Sequence, residues 1–282
     1  MRAAAFRAAR VTTAALACAA LALATAAVQC APNAVNDAFP RAAAAYLVVA
    51  DDRILWAHNP DQSRAPASLA KLLSVLVLLQ GPWDESRPIR VSATAAAIEG
   101  TRLGLRAGEQ LRAGDALTAM LLRSANDACL ALAEDAAGSA AAFVVRMNRL
   151  AQQLGLAHSE FRTPCGLDAP GQHTTATDLL ALARAAMQRP EIAARVGRDG
   201  GTISTLGGRS IAFHNNNALV GRTRGTIGVK SGYTAAAGKC VIALTERDGH
   251  RVWLVLLDGK DRWWAADGII AAAFAALGNG GS

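Results

Sequence analysis

Strand-like runs occupy the two ends of this 282-residue chain, and helical runs fill the stretch between them. Residues 45–50 are apolar without a break and read as a buried strand. The pair Asp51-Asp52 reads as a two-residue turn, and residues 53–57 as the antiparallel partner. Three more strand signals come near the other end, at 226–231, 240–245 and 252–257, the last two joined through Asp248-Gly249. Helical patterning covers 113–122, 126–136, 140–154 and 174–187, and residues 263–277 read as a closing amphipathic helix. A β-α-β series would space its strands among the helices, so it is excluded. What remains is an α+β chain. One antiparallel sheet is completed by both termini and flanked by helices, with an all-helical lobe of about residues 92–200 inserted in the middle. Residues 81–110, rich in Pro, Gly and Arg, read as an irregular excursion with a strand-like piece at 89–91, and 202–213 as a hairpin turning at Gly207-Gly208.

The first residues bear on compartment rather than fold. Arg2, Arg7 and Arg10 precede an apolar run over 11–28 that contains Ala24-Thr25-Ala26, which reads as a signal peptide of residues 1–26. The run is alanine-rich and barely long enough to span a bilayer, so an uncleaved anchor is the lesser reading. A lipid-modified Cys30 is disfavoured by the poor small-residue box Ala27-Val28-Gln29 before it. Cleavage leaves 256 residues and lowers the formal charge from +7 to +4. A flexible segment, 27–44, then leads into a single domain, 45–282. The chain is expected to be exported, to the periplasm or beyond, with no stable membrane anchor after cleavage. The remaining basic residues are scattered, so nucleic acid is not indicated as a partner. A hydrophobic fraction of 52% excludes disorder. Cysteines and histidines lack metal-like spacing, so no metal is expected, and the pairing of Cys30, Cys129, Cys165 and Cys240 is open.

Chemistry enters at Ser68-Leu69-Ala70-Lys71, at the head of an apolar helix over 72–79. One turn puts the hydroxyl and the amine on the same face. A serine attacks a carbonyl only when a base takes its proton, and an amine can be that base if its pKa is lowered. An N-capping serine followed by a surface lysine is the plain alternative, and Ser-x-x-Lys arises by chance in about one such chain in six. Two further patterns change the odds. Ser124-Ala125-Asn126 sits between helical segments, and Lys230-Ser231-Gly232 ends a strand signal. Only four of the 29 basic residues are lysines, and Lys71 and Lys230 are two of them. Arginine could not act as a base, because its guanidinium stays protonated.

Together the three patterns resemble the motifs of penicillin-binding proteins and serine β-lactamases. Between them, Phe161-x-x-Pro164-x-Gly166-Leu167, Thr174-Thr175-Ala176-x-Asp178, His214-Asn215-Asn216-Asn217-x-Leu219 and Gly228-Val229-Lys230-Ser231-Gly232-Tyr233-Thr234 resemble the low-molecular-weight D-alanyl-D-alanine carboxypeptidases. The resemblance implies a β-lactamase/transpeptidase-like fold. It also implies a peptidoglycan stem peptide ending in D-Ala-D-Ala as substrate, β-lactams as covalent inhibitors and no cofactor. By position it makes Ser68 the nucleophile, Lys71 its base, kept neutral by Lys230 nearby, and Ser124 the proton relay. Asn126, Lys230, Ser231 and Gly232 bind substrate, and the backbone N–H groups of Ser68 and Tyr233 form the oxyanion hole. Ser231 stands where the family usually has threonine, and glycine at 232 lets a substrate backbone lie along the strand edge.

Three other readings share these motifs. A D,D-endopeptidase cutting cross-links uses the same acyl chemistry. A serine β-lactamase carries a deacylating glutamate in a Glu-x-x-Leu-Asn box; the candidate Glu160 is followed instead by Phe161-Arg162-Thr163-Pro164. An inactive peptidoglycan binder is expected to have lost Ser68, Lys71 or Lys230. Only 50 residues follow Gly232, so the C-terminal β-domain of some relatives is not expected.

Overall fold

The computed structural model describes residues 37–278. β1 (Ala43–Ala50) and β2 (Arg53–His58) form the first hairpin. Asp51 and Asp52 turn it with φ of 44° and 66°, the doubly left-handed two-residue turn whose twist suits paired strands. β7 (Thr226–Thr234), β8 (Gly238–Arg247) and β9 (His250–Gly259) follow near the other end, and Asp248-Gly249 makes a second two-residue turn between the last two. The strand order is β2-β1-β9-β8-β7, antiparallel throughout, so the last strand lies beside the first, with Val48 opposite Leu254. The sheet is thus completed from both ends of the chain, as the strand signals require.

Alternation along each strand serves two cores. Tyr46, Val48, Val241, Ala243, Leu254 and Leu256 face α8 (Arg262–Gly278), which buries Ala265, Ala266, Ile269, Ile270 and Ala273 against them. Leu47, Val49, Ile242, Leu244, Val255 and Leu257 face the other way, into a larger core with α1 (Lys71–Leu78). Because both faces are covered, β1 is apolar at every position, which is why its run carries no alternation.

Between the strand groups come β3 (Pro88–Arg90), α2 (Ala93–Ala97), β4 (Gln110–Arg112), α3 (Ala113–Leu122), α4 (Asn126–Ala137), α5 (Ala140–Gln153), α6 (Ala176–Met187), α7 (Pro190–Val196), β5 (Gly200–Ser204) and β6 (Ser210–His214). The long helices stand where the periodicity puts them, with Gly138 ending α4 at φ 77° and Ser139 capping α5 through Ala142 N–H at 3.1 Å. Two short helices have no counterpart in that reading, α2 of five residues, capped by Ser92, and α7 of seven. Neither is long enough to display a helical period. α6 lies within the sequence bounds of the expected lobe yet packs on the sheet, against β1 and β9. Residues 37–42 also have defined contacts: Asp37 accepts the Tyr46 hydroxyl, and Phe39 lies over Gly268. The signal-peptide reading of 1–26 and Cys30 lie outside the described residues.

The segment around Ser68 departs from expectation. Residues Ala67–Ala70 form a 3-10 turn that passes into α1 at Lys71. In a 3-10 turn residues three apart eclipse, so the change brings the side chains of 68 and 71 into tighter register than an α-helix would.

Candidate active site

Lys71 is fully buried, and its Nζ has three oxygens in reach: Ser68 Oγ at 2.9 Å, Asn126 Oδ1 at 2.7 Å and the carbonyl of Cys165 at 2.7 Å. Burial pushes the amine well below the ordinary lysine range; the charge of Lys230 pushes the same way, and the Asp127 carboxylate opposes. The expectation that Lys230 keeps Lys71 neutral is therefore corrected in rank: burial is the larger cause. A neutral amine has two N–H donors and one lone pair. In that neutral form, with the N–H groups on Asn126 Oδ1 and the Cys165 carbonyl, the lone pair is the part left for the Ser68 hydroxyl.

α4 supplies the second group. The Asn126 side chain donates Nδ2–H to Glu99 O at 2.7 Å, and its backbone N–H donates to Thr101 O at 2.7 Å, so the amide is fixed with Oδ1 toward Lys71. Asp127, wholly buried, accepts backbone N–H groups from Leu103 at 3.0 Å, Gly104 at 2.9 Å, Leu105 at 3.0 Å and Ala128 at 2.9 Å. It staples the loop before β4 to the start of α4, using charge-assisted bonds. Ser124 precedes α4 in a left-handed conformation with φ 61°. It is buried, its hydroxyl bonds to no described residue, and the structure does not join it to Lys71.

β7 supplies the third. Lys230 is buried beside Arg262; burial first and that guanidinium second lower its pKa to about 7, and its Nζ donates to Ser231 O at 2.8 Å. Ser231 Oγ donates to Asn216 O at 3.2 Å. A Cβ on Gly232 would stand 2.9 Å from Ser68 N and 2.9 Å from Ala67 Cβ. The glycine is therefore required by packing of the strand on the 3-10 turn, a reason internal to the protein and different from the one the sequence suggests. This close approach sets the backbone of Ser68 beside β7, on which the next residue, Tyr233, is 65% exposed.

Four groups escaped the sequence reading. Asp127 stood next to Asn126 with no partner in view. Asn216 belonged to a recognised pattern without a role; here its backbone N–H donates to Leu122 O at 2.8 Å, its Nδ2–H to Arg123 O at 2.7 Å, and its Oδ1 accepts from Arg123 Nη1 at 2.9 Å. Asn216 thereby joins the residues before Ser124 to Ser231. Arg262 Nη1 donates to Gly232 O at 2.5 Å, its guanidinium lies 4.4 Å from the Trp263 ring centroid, and its Nε is buried without a partner among the described residues. The carbonyl of Cys165 has no side-chain signature at all. Cys165 forms a disulfide with Cys129, Cα atoms 6.0 Å apart, which pairs two of the four cysteines left open; among the described residues Cys240 is free and buried, and Cys30 lies outside them.

A groove of about 1080 Å³ lies elsewhere, lined by residues such as Asp51, Arg184, Glu246 and His250. Its charges pair among themselves, Asp51 with His250 at 2.6 Å and Asp52 with Arg184 at 2.7 Å, and none of the motif residues lines it.

Comparison with known proteins places most of the chain beside one family. A family model described as D-alanyl-D-alanine carboxypeptidase matches residues 32–261. The D-alanyl-D-alanine carboxypeptidase DacF of Bacillus subtilis is 30% identical over 72% of this chain and 54% of its own length. The D-alanyl-D-alanine endopeptidase of Pseudomonas aeruginosa is 32% identical over 75% of this chain and 69% of its own. The crystal structure of the Streptomyces K15 DD-transpeptidase superimposes with a TM-score of 0.78 at 24% identity, covering 83% of this chain and 97% of that one, which shows the fold. The chain spans about half the length of the curated carboxypeptidases it matches.

Proposed function

Because the chain belongs to the D-alanyl-D-alanine carboxypeptidase family, we propose that it is a serine D-alanyl-D-alanine carboxypeptidase acting on peptidoglycan stem peptides outside the cytoplasm. The observation that carries this reading is the buried Lys71 amine, 2.9 Å from Ser68 Oγ and held from behind by two acceptors. Lys71 takes the Ser68 proton as Oγ attacks the carbonyl of the penultimate D-alanine. The backbone N–H groups of Ser68 and Tyr233 hold the oxyanion, where loss of one donor typically costs about 100- to 1,000-fold. The C–N bond then breaks, the leaving D-alanine amine receives a proton through Ser124, and water later releases the acyl group. Asn126 binds the substrate amide. Lys230 and Ser231 bind the terminal carboxylate, and the unpartnered Nε of Arg262 supports adding it to this anion site.

β-Lactams present a strained amide with an adjoining carboxylate and acylate the same serine. Glu160 is paired with Arg162 at 2.6 Å on a half-exposed surface, which supports slow release of the adduct rather than β-lactamase turnover. The endopeptidase reading stands second, favoured by the match to the Pseudomonas enzyme over most of both chains.

Intact-mass analysis of wild type and Ser68→Ala after incubation with penicillin, then with a pentapeptide ending in D-Ala-D-Ala, tests the proposal. A stable adduct on the wild type alone, with loss of one alanine from the peptide, supports the carboxypeptidase. An adduct with cleavage only of cross-linked dimers supports the endopeptidase. Absence of any adduct overturns both.

A further inference from the structure

We propose that the Cys129–Cys165 disulfide is a positioning device for the Lys71 amine, setting the acylation rate rather than serving only as a staple. The inference rests on the reading of Ser68 and Lys71 as nucleophile and base. Its ground is that the two acceptors that orient the amine come from the two segments the disulfide joins. Asn126 and Cys129 are three residues apart on α4 and share a face. Cys165 gives Lys71 its other acceptor from its own backbone, 2.7 Å away. The covalent link therefore fixes the Asn126 amide and the Cys165 carbonyl with respect to one another, and the lone pair of Lys71 points wherever those two acceptors leave it.

The surroundings tie that carbonyl to the segment bearing Lys71, and the disulfide ties it covalently to α4, which bears Asn126. A backbone oxygen is placed only by what holds its residue. Pro164 O, just before it, accepts from Ser74 Oγ at 2.5 Å, and Gly166, just after it at φ 77°, is so close to the 3-10 turn that a Cβ would come within 1.9 Å of Ala67 O. These contacts fix the loop to the segment bearing Ser68 and Lys71. Among the described residues, the disulfide is the covalent tie between that loop and α4, and both cysteines are 1% exposed. Without it the loop and α4 reach Lys71 as independent elements, and the amine gains rotational freedom at the moment its lone pair has to meet the Ser68 proton.

The test measures acylation by a chromogenic β-lactam in stopped flow, separating the binding constant from the rate constant of the chemical step, with rates normalised to titrated acylating sites so that unfolded molecules drop out. Three samples are compared with the oxidised wild type: the Cys129→Ala/Cys165→Ala variant, the wild type reduced by a dithiol, and that sample reoxidised with glutathione disulfide. In the reduction the dithiol gives up two electrons and two protons, the Sγ–Sγ bond breaks, two S–H bonds form, and the reductant closes to its own disulfide. Mass analysis after alkylation counts the new thiols, and reduced wild type keeps the test open if the double variant does not fold.

Misplacing a reacting group by about 1 Å costs up to roughly 100-fold, so the expected result is a chemical step slowed about 10- to 100-fold per site. The binding constant stays unchanged, and reoxidation restores the rate. Cys240→Ala retains the wild-type rate and the thiol sensitivity. An unchanged chemical step per site, with only the melting temperature lowered, overturns the inference and leaves the functional reading standing. Failure of the oxidised wild type to acylate overturns that reading, and the inference with it.

Discussion

At the scale of single residues the cleft is a problem in proton placement. In the proposed reaction Lys71 acts neutral, and Arg at this position keeps the charge while removing the lone pair, so Lys71→Arg is expected to slow β-lactam acylation by about 100- to 10,000-fold. Stopped-flow acylation on material whose melting curve matches wild type checks this, and an undiminished rate removes Lys71 from the role of base. Lys230 poses the converse requirement. Its pKa of about 7 in the free protein means that a carboxylate must bind to the protonated form or draw a proton in with it. The KM for a D-Ala-D-Ala peptide is therefore expected to rise with pH above neutrality, by up to about tenfold per pH unit once Lys230 is neutral. An amidated peptide, lacking the anion, is expected to show no such rise. A KM independent of pH between about 6.5 and 9 for the free acid sinks the assignment of Lys230 to the carboxylate.

At the scale of elements, the three motifs sit on three separate pieces that must be held in register. Asn216 holds two of them, since it exchanges bonds with Arg123 beside Ser124 and takes the Ser231 hydroxyl on its carbonyl. Asn216→Ala removes the two side-chain bonds to Arg123 while its backbone keeps Leu122 and Ser231, at a cost of about 0.5–1.5 kcal/mol per lost bond. It is also expected to lower kcat/KM about tenfold or more by letting the lobe edge drift from β7; urea denaturation and peptide hydrolysis read the two effects, and wild-type values for both refute the clamp. Such couplings explain what the sequence revealed and what it hid. The hairpins were legible because Asp51-Asp52 and Asp248-Gly249 are local turn signals, and the meeting of Ser68, Lys71 and Asn126 because their side chains stand at short spacing in two motifs. The Cys165 carbonyl was not, being a backbone group 94 residues from the amine it holds. Arg262 was hidden for the same reason of distance, one arginine among many until the fold sets it against Gly232. The need for Gly232 was visible as a pattern, but its steric cause, the backbone of Ser68, exists only after folding.

At the scale of the whole molecule, burying two lysines in one cleft makes folding a proton-linked reaction. Lys230 has a folded pKa of about 7 against 10.5 for an unperturbed lysine, so between those values the unfolded chain binds a proton that the folded protein does not. Stability therefore rises with pH through that window, at up to about 1.4 kcal/mol per pH unit for a full proton. Lys71, also held below its ordinary range, adds a rise of the same sign over a window that ends at the same unfolded value. Cys240 works the other way, since burial raises its thiol from 9.0 to about 11 and stability falls with pH in between, so the comparison belongs below pH 9. Lys230→Met keeps the volume and removes the titration, and replacing a buried charge by an apolar side chain is often neutral or stabilising. The variant is expected to melt above wild type near neutrality. Its advantage should shrink by about 1 kcal/mol between pH 7.5 and 8.5, about 2–4 °C in melting temperature for a protein of this size. Calorimetric scans of the pair across that interval decide the matter. A constant difference means that Lys230 is charged in the folded protein at every pH tested, and the anion site is then a preformed cation rather than a group that takes up its proton with the substrate.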